Sequence, residues 1–404
     1  MKKVKPLAAI IGYGETPFSR GREERGEEKL TLEEYIAWTA DLALKHASLD
    51  KSDLDRMGLV INGSQYPHSE IWSAEVAQNL GVSPKRLIRV DNGGASGITS
   101  LARATELIQL GIVDRVLCIG ADAPMSITTH PYPYFGPETA YVRDYENPYG
   151  MQGPKSEFAF VMRKHMELYG TKPEQTGKIA VVSRSHALLN PNAYFKTSIT
   201  LEDYLKSSML ADPIRLLDNV MLVNGGLAFV VTSAEYAKKS ENAVYVIGTG
   251  ESYSYRSGSR TRPNVTETGI KVAAKQAYVQ SNVSVRDVDF FEPYDDFTIA
   301  VIMQLEDAGF CNKGDGGKFV ENTDLTIKGE LPISTGGGQL SAGQPGLSGG
   351  HVPLVECMRQ LFGKGEKRQV KGAKIGMATG IGGLSYINNL ENTTAAILCS
   401  GDAL

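Results

Sequence analysis

Short apolar runs alternate along the first part of the chain with segments in which apolar residues recur every three or four positions. Residues 7–12 form a continuous apolar run of strand length, and Thr31 followed by Glu34 has the capping-box pattern that begins a helix. The pattern predicts further strands at 57–61, 87–91 and 115–120 and helices at 31–46, 73–80 and 95–110. This βαβα order is typical of a parallel sheet covered by helices.

The second part of the chain shows the same alternation after an interruption. Residues 124–154 are rich in Pro, Gly and Tyr and lack periodicity, which predicts a long irregular excursion. Helices are predicted at 156–169, 173–189, 270–280, 296–308 and 347–361, and strands at 227–232, 244–248, 288–292, 374–378 and 394–399. The element order of the first half is thereby repeated, so we predict one body of two similar halves, residues 1–240 and 241–404.

Composition and charge exclude several classes of protein. The 404 residues are 42% hydrophobic and 22% charged, which is ordinary for a soluble protein with a large core. A formal net charge of -4 without long basic runs gives no electrostatic footprint for nucleic acid. The apolar run near the start breaks at Gly12, which is too early for a signal peptide or a membrane span. We therefore expect a cytoplasmic protein whose partners are proteins or small molecules.

The cysteines and histidines give no pattern of metal ligands. The four cysteines, Cys118, Cys311, Cys357 and Cys399, form no Cys-x-x-Cys pair, and the six histidines do not cluster. This spacing argues against a metal site in the chain. Reduced and mostly buried thiols are the expected state.

Candidate chemistry is concentrated where a predicted strand ends in a glycine-rich turn. In the first such corner, residues 90–97 contain Asn92 and Gly94 just before a helix. Backbone N-H groups at a helix start point outward and can stabilise an oxyanion or another anion. The glycine at 94 is explained equally well by a tight strand-to-helix turn, so the corner is either structural or part of a substrate pocket.

The second corner, residues 290–297, brings Tyr294, Asp295 and Asp296 between a strand and a helix. A tyrosine acts as a general acid or base only when its pKa is lowered or its proton is handed on. A neighbouring carboxylate can accept that proton. Packing of the Tyr294 ring and helix capping by Asp296 are the competing structural explanations.

Two further glycine-rich segments complete the pattern. Residues 334–346 contain Gln344, whose amide can donate a hydrogen bond to a carbonyl or enolate oxygen but cannot transfer a proton at neutral pH. His351, at the start of the following helix, is expected to be structural. Residues 379–383 end in Gly382 and Gly383, where backbone N-H groups are either oxyanion donors or parts of a close-packed turn.

These four segments together resemble the thiolase superfamily, near its sterol-carrier-type and lipid-transfer branches. The resemblance covers nearly the whole chain and is strengthened by residues 304–314, which follow the second corner. Gly94 stands where the family has its nucleophilic cysteine, and Asp296 where it has the acid/base cysteine. Tyr294 and Gln344 stand at the positions of two histidines. The resemblance implies an α/β thiolase fold with five αβαβα layers built from two similar halves, and a homodimer.

The glycine at the nucleophile position decides the expected reaction. Without a thiol at Gly94, no residue can hold the acyl group as a thioester, so covalent acyl transfer is not expected. Thiolase-like proteins that lack this cysteine and carry the tyrosine are aldolases. The resemblance therefore implies retro-aldol cleavage of a β-hydroxyacyl-CoA to acetyl-CoA or propionyl-CoA and a ketone or aldehyde, or the reverse condensation.

The resemblance also implies roles for individual residues. Tyr294 would remove or relay the β-hydroxyl proton, and Asp296 or Asp295 would receive it. Gln344 and backbone N-H groups of the first and last glycine turns would hold the enolate oxygen. Other aldolases of this type have a second tyrosine at the position of Gln344, and Tyr253 or Tyr255 would then compensate.

Two other functions remain open on the sequence alone. The chain can be a catalytically silent thiolase fold that binds acyl-CoA or scaffolds an active partner. It can also be a condensing or acyltransferase subunit that uses Cys311, although this cysteine follows a helix away from the glycine corners. For the aldolase, the resemblance implies a small partner protein with a zinc ribbon and an OB-like fold. No covalently bound cofactor is expected, because coenzyme A enters as part of the substrate.

Overall fold

The computed structural model describes residues 5–64, 70–127, 142–151, 153–238, 240, 242–253, 265–383 and 392–404. Its strands are β1 (Ala8–Glu15), β2 (Gly58–Asn62), β3 (Arg86–Val90), β4 (Arg115–Asp122), β5 (Met209–Ala211), β6 (Ile214–Arg215), β7 (Gly225–Thr232), β8 (Val244–Tyr253), β9 (Phe290–Glu292), β10 (Ile375–Gly382) and β11 (Asn392–Ser400). Its helices are α1 (Leu32–His46), α2 (Trp72–Leu80), α3 (Ser96–Gln109), α4 (Pro124–Ile127), α5 (Pro154–Tyr169), α6 (Pro173–Ala187), α7 (Leu201–Lys206), α8 (Ala234–Ala237), α9 (Ile270–Ser281), α10 (Thr298–Asp307), α11 (Gly316–Asn322) and α12 (His351–Leu361).

The strands pair in the order β3-β2-β4-β7-β1-β8-β11-β10-β9, with β5 and β6 forming a separate ribbon. Only β2 with β3, β2 with β4 and β9 with β10 are parallel among these pairs. The expectation of a parallel sheet is therefore wrong for the inner strands. The chain enters β7 after a long excursion instead of a single crossover helix, and β11 follows β10 after a short connection, so both strands run back beside their predecessors.

The second group of strands repeats the pairing of the first. In the first group β2 is parallel to β4, β4 antiparallel to β7, and β7 antiparallel to β1. In the second group β9 is parallel to β10, β10 antiparallel to β11, and β11 antiparallel to β8. The two groups join where Ala8–Ile10 of β1 pairs with β8. The boundary between residues 240 and 241 stays a prediction.

Three apolar clusters separate the layers. One lies between α1, α2 and the first group of strands, and another lies between the second group and helices α9 and α10. The middle cluster joins both groups of strands to α3 and α12. The order is therefore helix, sheet, helix, sheet, helix, which confirms the predicted five-layered αβαβα fold.

The sequence patterns predicted most helix and strand boundaries to within a few residues of their positions in the structure. The Thr31 hydroxyl accepts the Glu34 N-H at 3.2 Å, and the Glu34 carboxylate accepts the Thr31 N-H at 2.7 Å, as the capping box predicts. The helix predicted from 347 begins at His351, because a 3-10 turn occupies Gly346–Gly350. The predicted excursion at 124–154 lies partly outside the described residues. In the part of the chain that is described, no helix is long and apolar enough to cross a membrane.

Candidate active site

Four glycine-rich segments meet beside the central helices α3 and α12. A Cβ atom added to Gly94 would lie 2.2 Å from Cζ of Tyr294 and 2.3 Å from the carbonyl oxygen of Ile381. A Cβ atom added to Gly350 would lie 2.0 Å from the carbonyl oxygen of Gly94. The first corner thus touches the second corner, the last glycine turn and the segment that follows Gln344. The segments that the sequence singled out separately form one site.

The ring of Tyr294 occupies the space that a side chain at position 94 would need. Gly94 lies in the 3-10 turn Gly93–Ala95 between β3 and α3. Its own φ is not positive, although that of Gly93 is 55°. The close approach of the Tyr294 ring and of the Ile381 carbonyl oxygen, and not backbone conformation, therefore excludes a side chain at Gly94. This requirement is distinct from both explanations that the sequence allowed.

The Tyr294 hydroxyl is enclosed and touches Gln344. The residue is 5% exposed, and Nε2 of Gln344 donates a hydrogen bond to its oxygen at 3.3 Å. Burial raises the pKa of Tyr294 well above its ordinary value, the negative charges of Asp296 and Asp295 raise it further, and the Gln344 hydrogen bond opposes them. Tyr294 is therefore a neutral phenol at neutral pH, with a proton to give or to relay.

Asp296 supplies a carboxyl group that is not used for helix capping. Helix α10 begins at Thr298, and its N-cap residue is Phe297, without a side-chain cap. The Oδ1 atom of Asp296 is buried and makes no hydrogen bond to the described residues. Burial raises the pKa of Asp296 well above its ordinary value, and the charge of Asp295 adds to this effect. The negative charge of Asp296 in turn raises the pKa of Tyr294, although no hydrogen bond joins the two side chains.

Asp295 is turned toward the third corner. Its Oδ1 accepts the Gln339 N-H at 2.7 Å, and its Oδ2 accepts the Ser334 hydroxyl at 3.3 Å. A Cβ atom at Gly338 would lie 1.8 Å from Oδ2 of Asp295, so the loop closes tightly around the carboxyl group. Burial raises the pKa of Asp295 to about 7, against these hydrogen bonds. Its observed contacts fix the loop that carries Gln344.

The backbone of Tyr294 is held by Gln304, which sequence reasoning used only as part of the family resemblance. The Gln304 amide accepts the Tyr294 N-H at 3.2 Å and donates to the Tyr294 carbonyl at 2.7 Å. It also accepts the Thr379 hydroxyl at 2.7 Å, which links the second corner to the last glycine turn. The signal that would have found it is an amide within a helix that is otherwise apolar from Ile299 to Leu305.

Gln344 is held through its main chain. Its N-H donates to the Met221 carbonyl at 2.9 Å, and its carbonyl accepts the Val223 N-H at 3.0 Å. These two hydrogen bonds form a parallel β-bridge between Leu222 and Gln344. The segment before β7 therefore fixes the position of the Gln344 side chain.

Asn92 faces the rim of the site. Its Nδ2 donates to the Thr99 hydroxyl and to the Tyr253 hydroxyl, each at 3.2 Å. Tyr253 is 59% exposed. Its hydrogen bond to Asn92 places it at the first corner and not at Gln344. Tyr255, the other tyrosine expected to compensate, lies outside the described residues.

The last glycine turn packs on the first corner through its backbone. A Cβ atom at Gly382 would lie 1.8 Å from the Asn92 carbonyl oxygen, so this position tolerates only glycine. Gly383 has a φ of 84°, in the left-handed region that favours glycine, and has open space where a side chain would project. Both predicted pocket glycines therefore border the site, and their role as oxyanion donors stays a prediction.

Comparison with known proteins assigns these segments to a family. Residues 250–395 match the family model described as thiolase C-terminal domain-like. A steroid side-chain-cleaving aldolase of Thermomonospora curvata is 34% identical over 376 residues, which cover 90% of this chain and 92% of the aldolase. The chain belongs to the thiolase superfamily.

Relatives of this thiolase-superfamily member carry names from two kinds of chemistry. An acetyl-CoA acetyltransferase of Methanothermobacter thermautotrophicus is 31% identical, over 93% of this chain and 96% of the relative. A 17-hydroxy-3-oxo-4-pregnene-20-carboxyl-CoA lyase of Mycobacterium tuberculosis is 30% identical, over 88% of this chain and 92% of the lyase. The solved structure of the Ltp2-ChsH2(DUF35) aldolase superposes with a TM-score of 0.82 at 28% identity and 98% coverage of both chains. These similarities confirm the predicted aldolase-type branch of the superfamily.

The cysteines of this thiolase-superfamily member do not offer an alternative nucleophile. Cys118, Cys357 and Cys399 are fully buried, and burial raises the pKa of each thiol. Cys311 lies beyond the end of α10, and burial together with the charge of Glu306 raises the pKa of its thiol to about 12. A thiolate is therefore disfavoured at all four positions. Among the described residues, no group of His, Cys, Asp and Glu side chains is arranged to hold a metal ion.

A cavity of about 130 Å³ adjoins the site on the side of Gln344. One wall is formed by Leu216, Leu217, Asn219, Val220 and Met221, and another by Leu340 and Ser341 of the third corner. Since the Met221 carbonyl accepts the Gln344 N-H, the cavity shares a wall with the segment that positions Gln344.

Proposed function

We propose that this protein cleaves a β-hydroxyacyl-CoA by a retro-aldol reaction, giving acetyl-CoA or propionyl-CoA and a ketone or aldehyde. The observation that carries the proposal is the Tyr294 ring in the space of a side chain at Gly94. A buried phenol fills the space in which the family has its nucleophilic side chain. This arrangement favours proton transfer over acyl transfer. The names of the aldolase and lyase relatives support the same reaction.

The cleavage needs one proton to leave the β-hydroxyl oxygen and one to reach the α-carbon. In our proposal, Tyr294 accepts the hydroxyl proton while its own proton passes to Asp296 through one bridging water, since no hydrogen bond joins these two side chains directly. The β-oxygen then forms the new carbonyl, and the bond between the α- and β-carbons breaks. Its electron pair forms the enolate of the shorter thioester. In our proposal, the proton held by Asp296 returns through Tyr294 to the α-carbon, which leaves Asp296 a carboxylate again. No oxidant or external base is consumed.

The neighbouring pKa values suit this relay. A tyrosine whose pKa is raised cannot stand as a phenolate at neutral pH, so it needs a second group to take its proton. Asp296 has the partner-free Oδ1 atom for that task, and its raised pKa makes it a stronger base than an exposed carboxylate. We assign this role to Asp296 and not to Asp295, because hydrogen bonds to the third corner already occupy both oxygens of Asp295.

The enolate oxygen requires hydrogen-bond donors that are fixed in advance. We propose that Nε2 of Gln344 and backbone N-H groups at Gly94 and Gly383 surround it. The main-chain pairing of Gln344 with Met221 and Val223 fixes the direction of its amide. Such donors stabilise charge that develops only during bond cleavage.

The test is turnover of purified protein with a panel of β-hydroxyacyl-CoAs, following released acetyl-CoA or propionyl-CoA and the carbonyl product. Tyr294→Phe is expected to reduce kcat by about 100-fold or more while CoA binding is retained. Tyr278→Phe is the matched control, since its partly buried hydroxyl donates to the Ala308 carbonyl at 3.1 Å, away from Gln344. CoA binding without cleavage by the unaltered protein and its partner would instead assign the chain to a catalytically silent scaffold.

We further propose that the chain forms a cytoplasmic homodimer that joins a small partner protein with an OB-like fold and a zinc ribbon. Strand β3 ends the sheet, and Arg86, Leu87 and Arg89 on it are exposed, so a second copy can pair along it. The name of the Ltp2-ChsH2(DUF35) aldolase describes an assembly of two kinds of subunit, which supports the second partner. Light scattering on the purified chain, alone and with co-purifying proteins, would contradict this proposal if it gave only a monomer.

A further inference from the structure

The cavity beside Gln344 contains a buried arginine. Arg184 lies on α6 and is 5% exposed. Its Nε donates to the Ser341 hydroxyl at 3.1 Å, one terminal nitrogen donates to the Thr197 carbonyl at 3.2 Å, and the guanidinium carbon lies 4.0 Å from the centre of the Phe195 ring. Each of these partners is neutral. Among the described residues, the positive charge of Arg184 is therefore stabilised by dipoles and a ring face alone.

Other buried arginines of the chain have carboxylate partners. Arg359 pairs with Glu15 at 2.8 Å, and Arg368 pairs with Glu356 at 3.0 Å. Arg184 forms no ion pair with any residue in the described ranges, and burial lowers its pKa without an opposing charge. A buried charge is costly unless it is paired. The environment of Arg184 is therefore that of a cation whose negatively charged partner is supplied by a bound ligand.

The remaining walls of the cavity are largely apolar. They include Ile199, Leu216, Leu217, Val220 and Leu340. Leu216 is 46% exposed, so the cavity opens to the surface there. A free phosphate would require several donors, whereas one guanidinium among aliphatic side chains suits an alkyl chain that ends in a carboxylate.

The segment that forms one wall of the cavity pairs with residues on two sides of the site, beside Asp296 and at Gln344. Asn219, on its wall, forms an antiparallel bridge with Phe297, which directly follows Asp296. Three residues later, Leu222 forms a parallel bridge with Gln344. The wall of this cavity is therefore continuous with the segment that positions Gln344 and pairs with the residue that follows Asp296.

We infer that the cavity binds the far end of the substrate's acyl chain and that this end is a carboxylate paired with Arg184. The substrate class is then a β-hydroxyacyl-CoA whose acyl group carries a second, terminal carboxylate. The inference rests on the proposed function for the position of the thioester. Its binding test requires no turnover.

The test compares two thioesters that cannot undergo retro-aldol cleavage because they lack a β-hydroxyl group. Adipoyl-CoA and hexanoyl-CoA have acyl chains of equal length and differ in the terminal carboxylate. Titration calorimetry on the unaltered protein is expected to give adipoyl-CoA an affinity about tenfold higher or more. Arg184→Gln is expected to abolish this preference and leave the affinity for hexanoyl-CoA unchanged. Arg163→Gln is the control, because this exposed arginine pairs with Asp212 on the surface.

Several results would overturn the inference. One is an unaltered protein that binds both thioesters equally. Another is an Arg184→Gln variant that binds adipoyl-CoA, hexanoyl-CoA and free CoA with the same loss, which would assign Arg184 to a phosphate of CoA. If Arg184→Gln fails to fold, Arg184→Lys keeps the charge and is expected to retain part of the preference, whereas full loss or no change would contradict the pairing. The aldolase proposal fails in a different assay, namely if no β-hydroxyacyl-CoA in the panel is cleaved.

Discussion

Replacement of Gly94 by alanine tests the central feature of the site. The added Cβ atom would lie 2.2 Å from Cζ of Tyr294 and 2.3 Å from the Ile381 carbonyl oxygen. Because the φ of Gly94 is not positive, the backbone accepts alanine without strain. The substitution therefore adds one methyl group and changes nothing else directly.

The magnitude follows from these two contacts. Both fall more than an ångström short of ordinary van der Waals contact, which is about 3.5 Å, so the ring and the neighbouring strand must shift. Overpacking of this kind costs about 1–3 kcal/mol. The Tyr294 ring cannot retreat without losing its 3.3 Å contact with Gln344, so we expect turnover to fall by about 100-fold or more.

Two measurements check the effect independently. Urea unfolding gives the loss of stability, and release of acetyl-CoA or propionyl-CoA gives the loss of turnover. Gly401→Ala is the control, since the nearest atom to its added Cβ would be 3.7 Å away. In a double-mutant cycle with Tyr294→Ala, the stability cost of Gly94→Ala should become smaller but persist, because the clash with the Ile381 carbonyl remains. Full stability and turnover in Gly94→Ala would refute the assignment of this space to the tyrosine ring.

Further predictions concern the groups around this pair. Gln304→Met leaves the buried N-H and carbonyl of Tyr294 without their partner. We expect urea unfolding to show a loss of about 1–3 kcal/mol in the free energy of unfolding for each group. Steady-state kinetics should show a larger effect on kcat than on KM. Burial raises the pKa of Asp295 to about 7, so its stabilising contribution is present at low pH and is lost as pH rises from about 4 through 7, at up to about 1.4 kcal/mol per unit. Asp295→Asn should remove this slope from the pH dependence of unfolding, and an unchanged slope would contradict it. Cys311→Ser should leave turnover unchanged in the same assay, and a large loss would revive a thiol-based reaction.

Local patterns in the chain predicted the elements and the location of the chemistry. Strands, helices and the capping box at Thr31 depend on neighbours within a few residues, so periodicity reveals them. Each glycine corner is likewise visible as a strand that runs into glycines. The resemblance of these corners to one family then implied that they lie in one site.

The sequence by itself determined the layered α/β fold, the absence of a thiol at Gly94 and the presence of a phenol at Tyr294. Only the tertiary structure decided that these two positions fill one space, that Asp295 holds a loop while Asp296 keeps a free oxygen, and that Gln304 holds the tyrosine backbone. It also decided which strands run antiparallel. These contacts join residues that are 10 positions apart for Gln304 and Tyr294, 44 for Asp295 and Gln339, and about 200 for Gly94 and Tyr294. Local periodicity predicts the face of an element on which a residue lies, but not which residue of another element its side chain meets.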